Sequence, residues 1–343
     1  MNENNNDSFE EENLIPDQNP NQSQKKNQNL KDPRPPLIVI AGPTAVGKSD
    51  LAIRLAEKID GEIVSCDSMQ VYRGMDIGTA KVTREERARV PHHMIDILDP
   101  TEPCDVRSFK DKAIACVREI QSRGKIPILC GGTGFYIQAV VRDIDFTEED
   151  GDMAYRKALE EEADCLGNEA LHEKLKEIDP VSYQTIHPNN RKRVIRALEF
   201  YHKSGEPISL HNEEEHEKES PFHTFFFVLT DDRAMLYQRI NERVDRMMKD
   251  GLLDEVQELL NRGCRAAMTS MQGIGYKQLI PVIQGKTDLN SAVDTIKKES
   301  RHYAKRQLTW FRREKDVIFL DRRDYPDEGR LLNAVLERIH EIL

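Results

Sequence analysis

No stretch of the 343-residue sequence approaches the run of about 20 apolar residues that a membrane-spanning helix needs. The first residues have neither the basic start nor the apolar core of a secretory leader, so a soluble protein of the cytoplasm is expected. Paired cysteines are missing as well. The six present, Cys66, Cys104, Cys116, Cys130, Cys165 and Cys264, stand singly with no C-x-x-C pair. That spacing argues against a zinc site or a disulfide framework and leaves reduced thiols in the core or on the surface. Positive charge is not in excess either, because the net charge is −11. A chain-wide attraction to nucleic acid is therefore absent, although phosphate contacts follow local potential rather than the sum. There are no internal repeats.

What is present divides into unlike parts. Residues 1–34 are rich in Asn, Gln and acids and show no apolar periodicity, which predicts a disordered tail. That tail holds seven acids and four bases, a net −3, which leaves −8 for the remainder. Basic residues cluster at Arg191-Lys192-Arg193 with Arg196, and at Arg301, Lys305, Arg306, Arg312 and Arg313. On charge alone these read as solvated helix faces rather than as an RNA surface.

The apolar run Leu37–Ile40 is followed by Gly42, Pro43, Thr44, Ala45, Val46, Gly47, Lys48 and Ser49. Together they match G-x-x-x-x-G-K-[ST], the phosphate-binding P-loop. The glycines let successive N–H groups converge on phosphate oxygens, Lys48 adds a point charge, and the Ser49 hydroxyl suits Mg²⁺. Helical apolar spacing from Asp50 to about Ile59 places a helix N-terminus, which favours anions, at the loop. Further strands are predicted at Glu62–Cys66, Ile126–Cys130, His223–Leu229 and Asp316–Leu320, with a helix over Arg107–Arg123. Alternating strands and helices mean an α/β protein with a P-loop NTPase-like parallel sheet flanked by helices. Ligands gather at the carboxyl ends of such strands, where Asp67 and Thr133 fall. Residues 35–141 and 221–343 would form this core. Residues 142–220 read as an all-helical insertion domain of charged helices, ending in a polar, flexible-looking run, His211–Ser220. The motif alone leaves small-molecule or nucleotide kinases, other nucleotide-binding (ATP-binding) NTPases and other diphosphate enzymes open.

Longer segments narrow the choice. Asp67–Lys81 reads DSMQVYRGMDIGTAK and Pro91–Pro100 reads PHHMIDILDP. Gly131–Tyr136 reads GGTGFY, Gln272–Gln278 reads QGIGYKQ, and Tyr303–Arg312 reads YAKRQLTWFR. With GPTAVGKS, these resemble the tRNA dimethylallyltransferase (isopentenyl-tRNA transferase) family in order from about Leu37 to Arg313. The resemblance implies transfer of a dimethylallyl group from its diphosphate to N6 of adenosine 37 beside the tRNA anticodon. The eukaryotic branch often adds a C-terminal zinc finger that this sequence does not contain, so a bacterial, cytoplasmic and monomeric enzyme is expected.

The same resemblance implies the site. Asp67 would be the catalytic base, although an acid at a strand end also orders Mg²⁺-bound water in kinases. Thr133 would bond near the transfer point, with helix capping as its bland alternative. Arg239, Arg243 and Arg246 share one helix face, and Arg243 would reach the diphosphate. Contacts to the anticodon stem-loop would come from Asp67, Ser68, Met69, Gln70 and Thr133. Arg156, Arg191, Lys192, Arg193, Val194 and Ile195 would add to them from the insertion. Gln272, Gly273, Ile274, Gly275, Tyr276 and Lys277 would supply the remainder. Tyr276 offers either a stacking face or simple core packing. Trp310 and Phe311 are expected in the core, with Lys305, Arg306 and Arg312 facing the cleft or RNA.

Overall fold

The computed structural model describes residues 32–146 and 153–343, so the tail predicted over 1–34 lies largely outside the described residues. Six strands form one sheet: β1 (Pro36–Ala41), β2 (Gly61–Cys66), β3 (His92–His93), β4 (Ile126–Gly131), β5 (His223–Thr230) and β6 (Val317–Asp321). Their order is β3-β2-β4-β1-β5-β6, and every neighbouring pair runs parallel. The predicted strands all appear at nearly the predicted bounds, and β3, only two residues long, was not predicted.

Period-two alternation explains why the sheet can be covered on both faces. Leu37, Val39, Val64, Leu129, Phe226 and Val228 join one apolar cluster. Their neighbours Ile38, Ile40, Ile63, Ile128, Phe225 and Phe227 join the other. Each fully buried side chain of this kind contributes about 1.5–3 kcal/mol of transfer free energy. The helix Lys48–Ile59 packs in the second cluster through Leu51, Ala52, Leu55 and Ala56. Val106–Ser122 packs in the first through Phe109, Ala113, Val117 and Ile120, and begins where the Asp105 carboxylate accepts the Ser108 N–H at 2.7 Å.

Between β4 and β5 the described residues are helical, with no strand in that span. Leu159, Ala163, Leu171, Leu175, Val194, Ile195, Ala197 and Leu198 form a separate apolar core there. Asp179, 1% exposed, ties the helices Pro180–Thr185 and Ile208–Glu217 together. Its carboxylate accepts from the N–H and hydroxyl of both Ser182 and Ser209. His211–Ser220 is a correction: most of it is helical, within Ile208–Glu217. The run has no apolar stripe to announce a helix. Tertiary contact holds it instead, since buried Glu215 accepts the Asp145 N–H at 2.8 Å. Among the described residues no helix is long and apolar enough to cross a membrane.

Candidate active site

The sheet register sets the site. Gly131 pairs with both Ala41 and Cys66, so β1, β4 and β2 end at one level and release three loops side by side. These are the phosphate loop, the Gly132–Thr133 turn and the segment that opens at Asp67.

In the phosphate loop Gly47 takes φ 96°, left-handed backbone that a side chain would strain, and N-caps the helix Lys48–Ile59. Lys48 Nζ donates to the Pro43 carbonyl at 2.7 Å. Burial pulls the Lys48 ammonium down to about 8, with Cys130 and Asp67 opposing the shift and Arg243 adding to it. Arg243 Nη1 reaches Thr44 Oγ1 at 3.4 Å across 199 residues of sequence. Burial also lowers the Arg243 guanidinium, helped by Arg246. Among the described residues, neither cation has a carboxylate within salt-bridge distance. Two desolvated cations beside a ring of backbone amides form a socket for an anion.

Asp67 faces the same space. Its Oδ1 accepts the N–H groups of Met69 (2.8 Å) and Gln70 (3.3 Å), which leaves Oδ2 to take a proton. Burial raises the carboxyl above the usual carboxylate range, against those two N–H groups and the charges of Lys48 and Lys81. Among the described residues Thr133 Oγ1 is buried with no hydrogen bond of ordinary geometry, although it is near enough to the Tyr303 hydroxyl to act on it, and it makes no side-chain cap to the helix that follows. A buried polar atom left so is costly unless a ligand meets it.

Two cavities meet here. One of about 290 Å³ is lined by the phosphate loop, with Ser49 and Cys130. The other, of about 320 Å³, runs past Ser68 and Met69 to Gln272–Lys277, with Ile240, Val244, Met247 and Ile296 as its apolar wall. Thr44, Asp67, Thr79, Ala80, Arg243 and Tyr303 line both. A diphosphate held in the first cavity would thus point its organic end into the second, past Asp67.

Comparisons with known proteins supply the family. The profile described as IPP transferase matches residues 70–314, and that described as Isopentenyl transferase matches residues 35–99. A tRNA dimethylallyltransferase of Lachnoclostridium phytofermentans is 52% identical over 306 residues, 89% of this chain and 98% of that relative. The chain belongs to the tRNA dimethylallyltransferase family. Solved structures agree. The tRNA isopentenylpyrophosphate transferase of Bacillus halodurans is 44% identical with a TM-score of 0.68, over 89% of this chain and 96% of that one. A eukaryotic dimethylallyltransferase solved acting on tRNA is 31% identical with a TM-score of 0.76, over 89% and 79% of the two chains.

Residues assigned through the family resemblance fall into three groups. Gly42 to Ser49, Asp67, Thr133 and Arg243 converge on the strand ends. Ser68, Met69 and Gln272 to Lys277 line the second cavity, where Lys277 is exposed. The remaining assigned residues stand in other surroundings. The Val194 and Ile195 side chains are 1% and 4% exposed in the insertion core, so side-chain contact with RNA is excluded there. Lys192 and Arg193 are the exposed members of that stretch. Arg191 is held by Asp164 at 2.7 Å, and Arg156 forks onto Glu199 with two bonds of 2.7 Å. Gln70 lines only the phosphate-side cavity, where it accepts from Ser65 Oγ and donates to the Thr79 carbonyl. Tyr276 is packed tightly, being 1% exposed with its ring against Gly78, and it also lines the second cavity. Phe311 is buried as expected, and Trp310 is only partly so. Lys305 and Arg306 line a surface basin with His302 and Arg313, and Arg306 also reaches the second cavity. Arg239 leaves the site to pair with Asp231 at 2.7 Å, and Arg246 is exposed.

Three residues of the site went unread in the sequence. Tyr303 lines both cavities, its hydroxyl pushed up to about 12 by burial and then by Asp67. Gln307 bridges two of the loops. Glu255 accepts the N–H groups of Asp76, Ile77 and Gly78 and the Tyr276 hydroxyl at 2.6 Å. It thereby fastens one wall of the second cavity to the other. Tyr303 and Gln307 lie in the YAKRQLTWFR stretch, which gives them no role by itself, and Glu255 lies in no such stretch.

Proposed function

We propose that the enzyme transfers a dimethylallyl group from dimethylallyl diphosphate to N6 of adenosine 37 in the tRNA anticodon loop, releasing diphosphate. The observation that carries this is the meeting of an anion socket and an apolar-walled cavity at one carboxylate, Asp67. Family membership displaces the kinase alternative.

The donor diphosphate sits on the phosphate-loop amides, with Lys48 and Arg243 against its oxygens. As the allylic C–O bond breaks, negative charge grows on the departing oxygen, and these fixed donors stabilise it most at that moment. The Ser49 hydroxyl, open at the same cavity, would hold Mg²⁺ together with diphosphate oxygens and water. That ion would supply further charge neutralisation on the leaving group. The exocyclic amine is a weak nucleophile because its lone pair is shared with the purine. It loses a proton as the C–N bond forms, and Asp67 Oδ2 receives it. An ordinary aspartate near pKa 3.9 would be a poor base, so the burial that raises this carboxyl improves it. Thr133 Oγ1 supplies a hydrogen bond to the incoming adenine. The base reaches the site only when extruded from its stack, the five-carbon chain lying against Ile240, Val244 and Met247. The insertion takes the anticodon stem through Lys192 and Arg193, and the chain works as a monomer.

The test is direct. Enzyme, dimethylallyl diphosphate, Mg²⁺ and unmodified tRNA should yield tRNA whose digest contains the N6-prenylated nucleoside at position 37. Consumption of ATP with the tRNA unchanged would overturn the reading.

A further inference from the structure

Gln307 lies on the helix Leu289–Phe311 and is 6% exposed. Its Oε1 accepts the Thr44 N–H at 2.9 Å, and its Nε2 donates to the Gly132 carbonyl at 2.9 Å. One amide therefore links the phosphate loop to the turn that carries Thr133. The fit is close: a Cβ on Gly132 would stand 2.1 Å from Gln307 Nε2. One turn on, Trp310 packs as tightly on Gly134, where a Cβ would stand 2.1 Å from the indole Cδ1. Tyr303, Gln307 and Trp310 follow at i, i+4 and i+7, so one helix face rests on both loops.

The Gln307 amide meets both demands at once, with an acceptor and a donor side by side at the end of one side chain. A carboxylate accepts from Thr44 but cannot donate to Gly132, and an apolar side chain does neither.

We propose that Gln307 is a positioning residue that sets the separation between the departing diphosphate and the adenine amine. This rests on the transfer reading given above. The phosphate loop holds the donor, while the Gly132 turn holds Thr133 beside the acceptor. A bridge between them fixes the distance over which the C–N bond must form. Misplacement by about 1 Å costs on the order of 10²-fold in rate. No contact between Gln307 and the reacting atoms is required.

The experiment compares full-length wild type with Gln307→Met, which keeps the length and loses both bonds, and Gln307→Glu, which keeps only the Thr44 bond. Single-turnover prenylation under saturating donor reads the rate constant of competent molecules, while its amplitude reads how many are competent. Thermal unfolding fixes a temperature at which all three are folded. For Gln307→Met the rate constant should fall by roughly 10²-fold, with the tRNA Michaelis constant within about threefold of wild type. Gln307→Glu should show the same fall and also bind Mg²⁺–pyrophosphate about tenfold more weakly, because it adds a negative charge at the anion socket. If Gln307→Met loses amplitude alone and keeps its rate constant, the residue is structural and the proposal fails. If the wild type itself does not prenylate tRNA, the transfer reading fails and this proposal with it.

Discussion

Lys48 and Arg243 contrast with Arg156 and Arg191. The first two stand at the strand ends, are desolvated enough to lower their pKa values, and meet a carbonyl and a hydroxyl rather than a carboxylate. The second two belong to the insertion and are locked onto Glu199 and Asp164. In sequence Lys48 stands out through its phosphate-loop motif, whereas the other three are assigned only through the family resemblance. Folding separates them by what faces them. A cation matched to a carboxylate has part of its charge already answered, whereas a half-buried cation with no carboxylate is better satisfied once an anion arrives. On the transfer proposed above, the core would take one small, highly charged guest, and the insertion a broad, loosely held one.

Removing the base breaks this contrast hardest. Asp67→Asn should cut the single-turnover rate by about 10²–10⁴-fold, the usual worth of a general base, and leave tRNA binding intact. A drop below tenfold would reassign Asp67 to ordering the cation. On the insertion side, Asp179→Ala strands four donors and should lower thermal stability by about 1–3 kcal/mol. Pyrophosphate binding should be unaffected, and a parallel loss would show that the two regions are not separable.

A subtler probe is pH. Free Lys48 titrates near 8 against an ordinary 10.5. Above pH 8 the empty site must take up a proton to greet the anion, so pyrophosphate affinity should weaken by up to about tenfold per pH unit until the bound-state pKa is reached. In the unbound protein the sign runs the other way. Between pH 8 and 10.5 the folded chain binds fewer protons at this lysine than the unfolded chain does. Stability at this group therefore rises with pH across that window, and Lys48→Met should remove the slope. The smallest effect is expected at the insertion surface. Lys192→Ala with Arg193→Ala should flatten the salt dependence of tRNA binding by roughly 0.7–0.9 in log–log slope per lost phosphate contact. Arg191→Ala should flatten it less, because Asp164 already holds that side chain.

Strands were legible because burial on both faces writes unbroken apolar runs such as Leu37–Ile40, and the loop glycines mark where they end. β3 escaped notice because two residues carry no periodicity. The helix Ile208–Glu217 escaped because its stability comes from contacts far off in sequence rather than from an apolar stripe. Asp67 and the phosphate loop were readable since their chemistry is local. Gln307 meets its partners 263 and 175 residues away, and Glu255 acts at a similar remove, so the YAKRQLTWFR stretch marks where Gln307 lies but not what it bonds, and no local motif marks Glu255. Val194 and Ile195 part from their basic neighbours for the opposite reason. They adjoin basic residues in sequence, but the helical turn points them inward.

Glu255 also governs how much give the acceptor slot has. With three amides and a phenol gathered on one carboxylate, the Asp76–Gly78 strip and the Gly275–Tyr276 turn behave as a single piece. In the transfer proposed above, an aperture of fixed gauge would select by outline, admitting a flat purine lifted from a loop and refusing a base still paired to its complement. Discrimination between loop and duplex would then be settled at this rim, before any bond is made or broken.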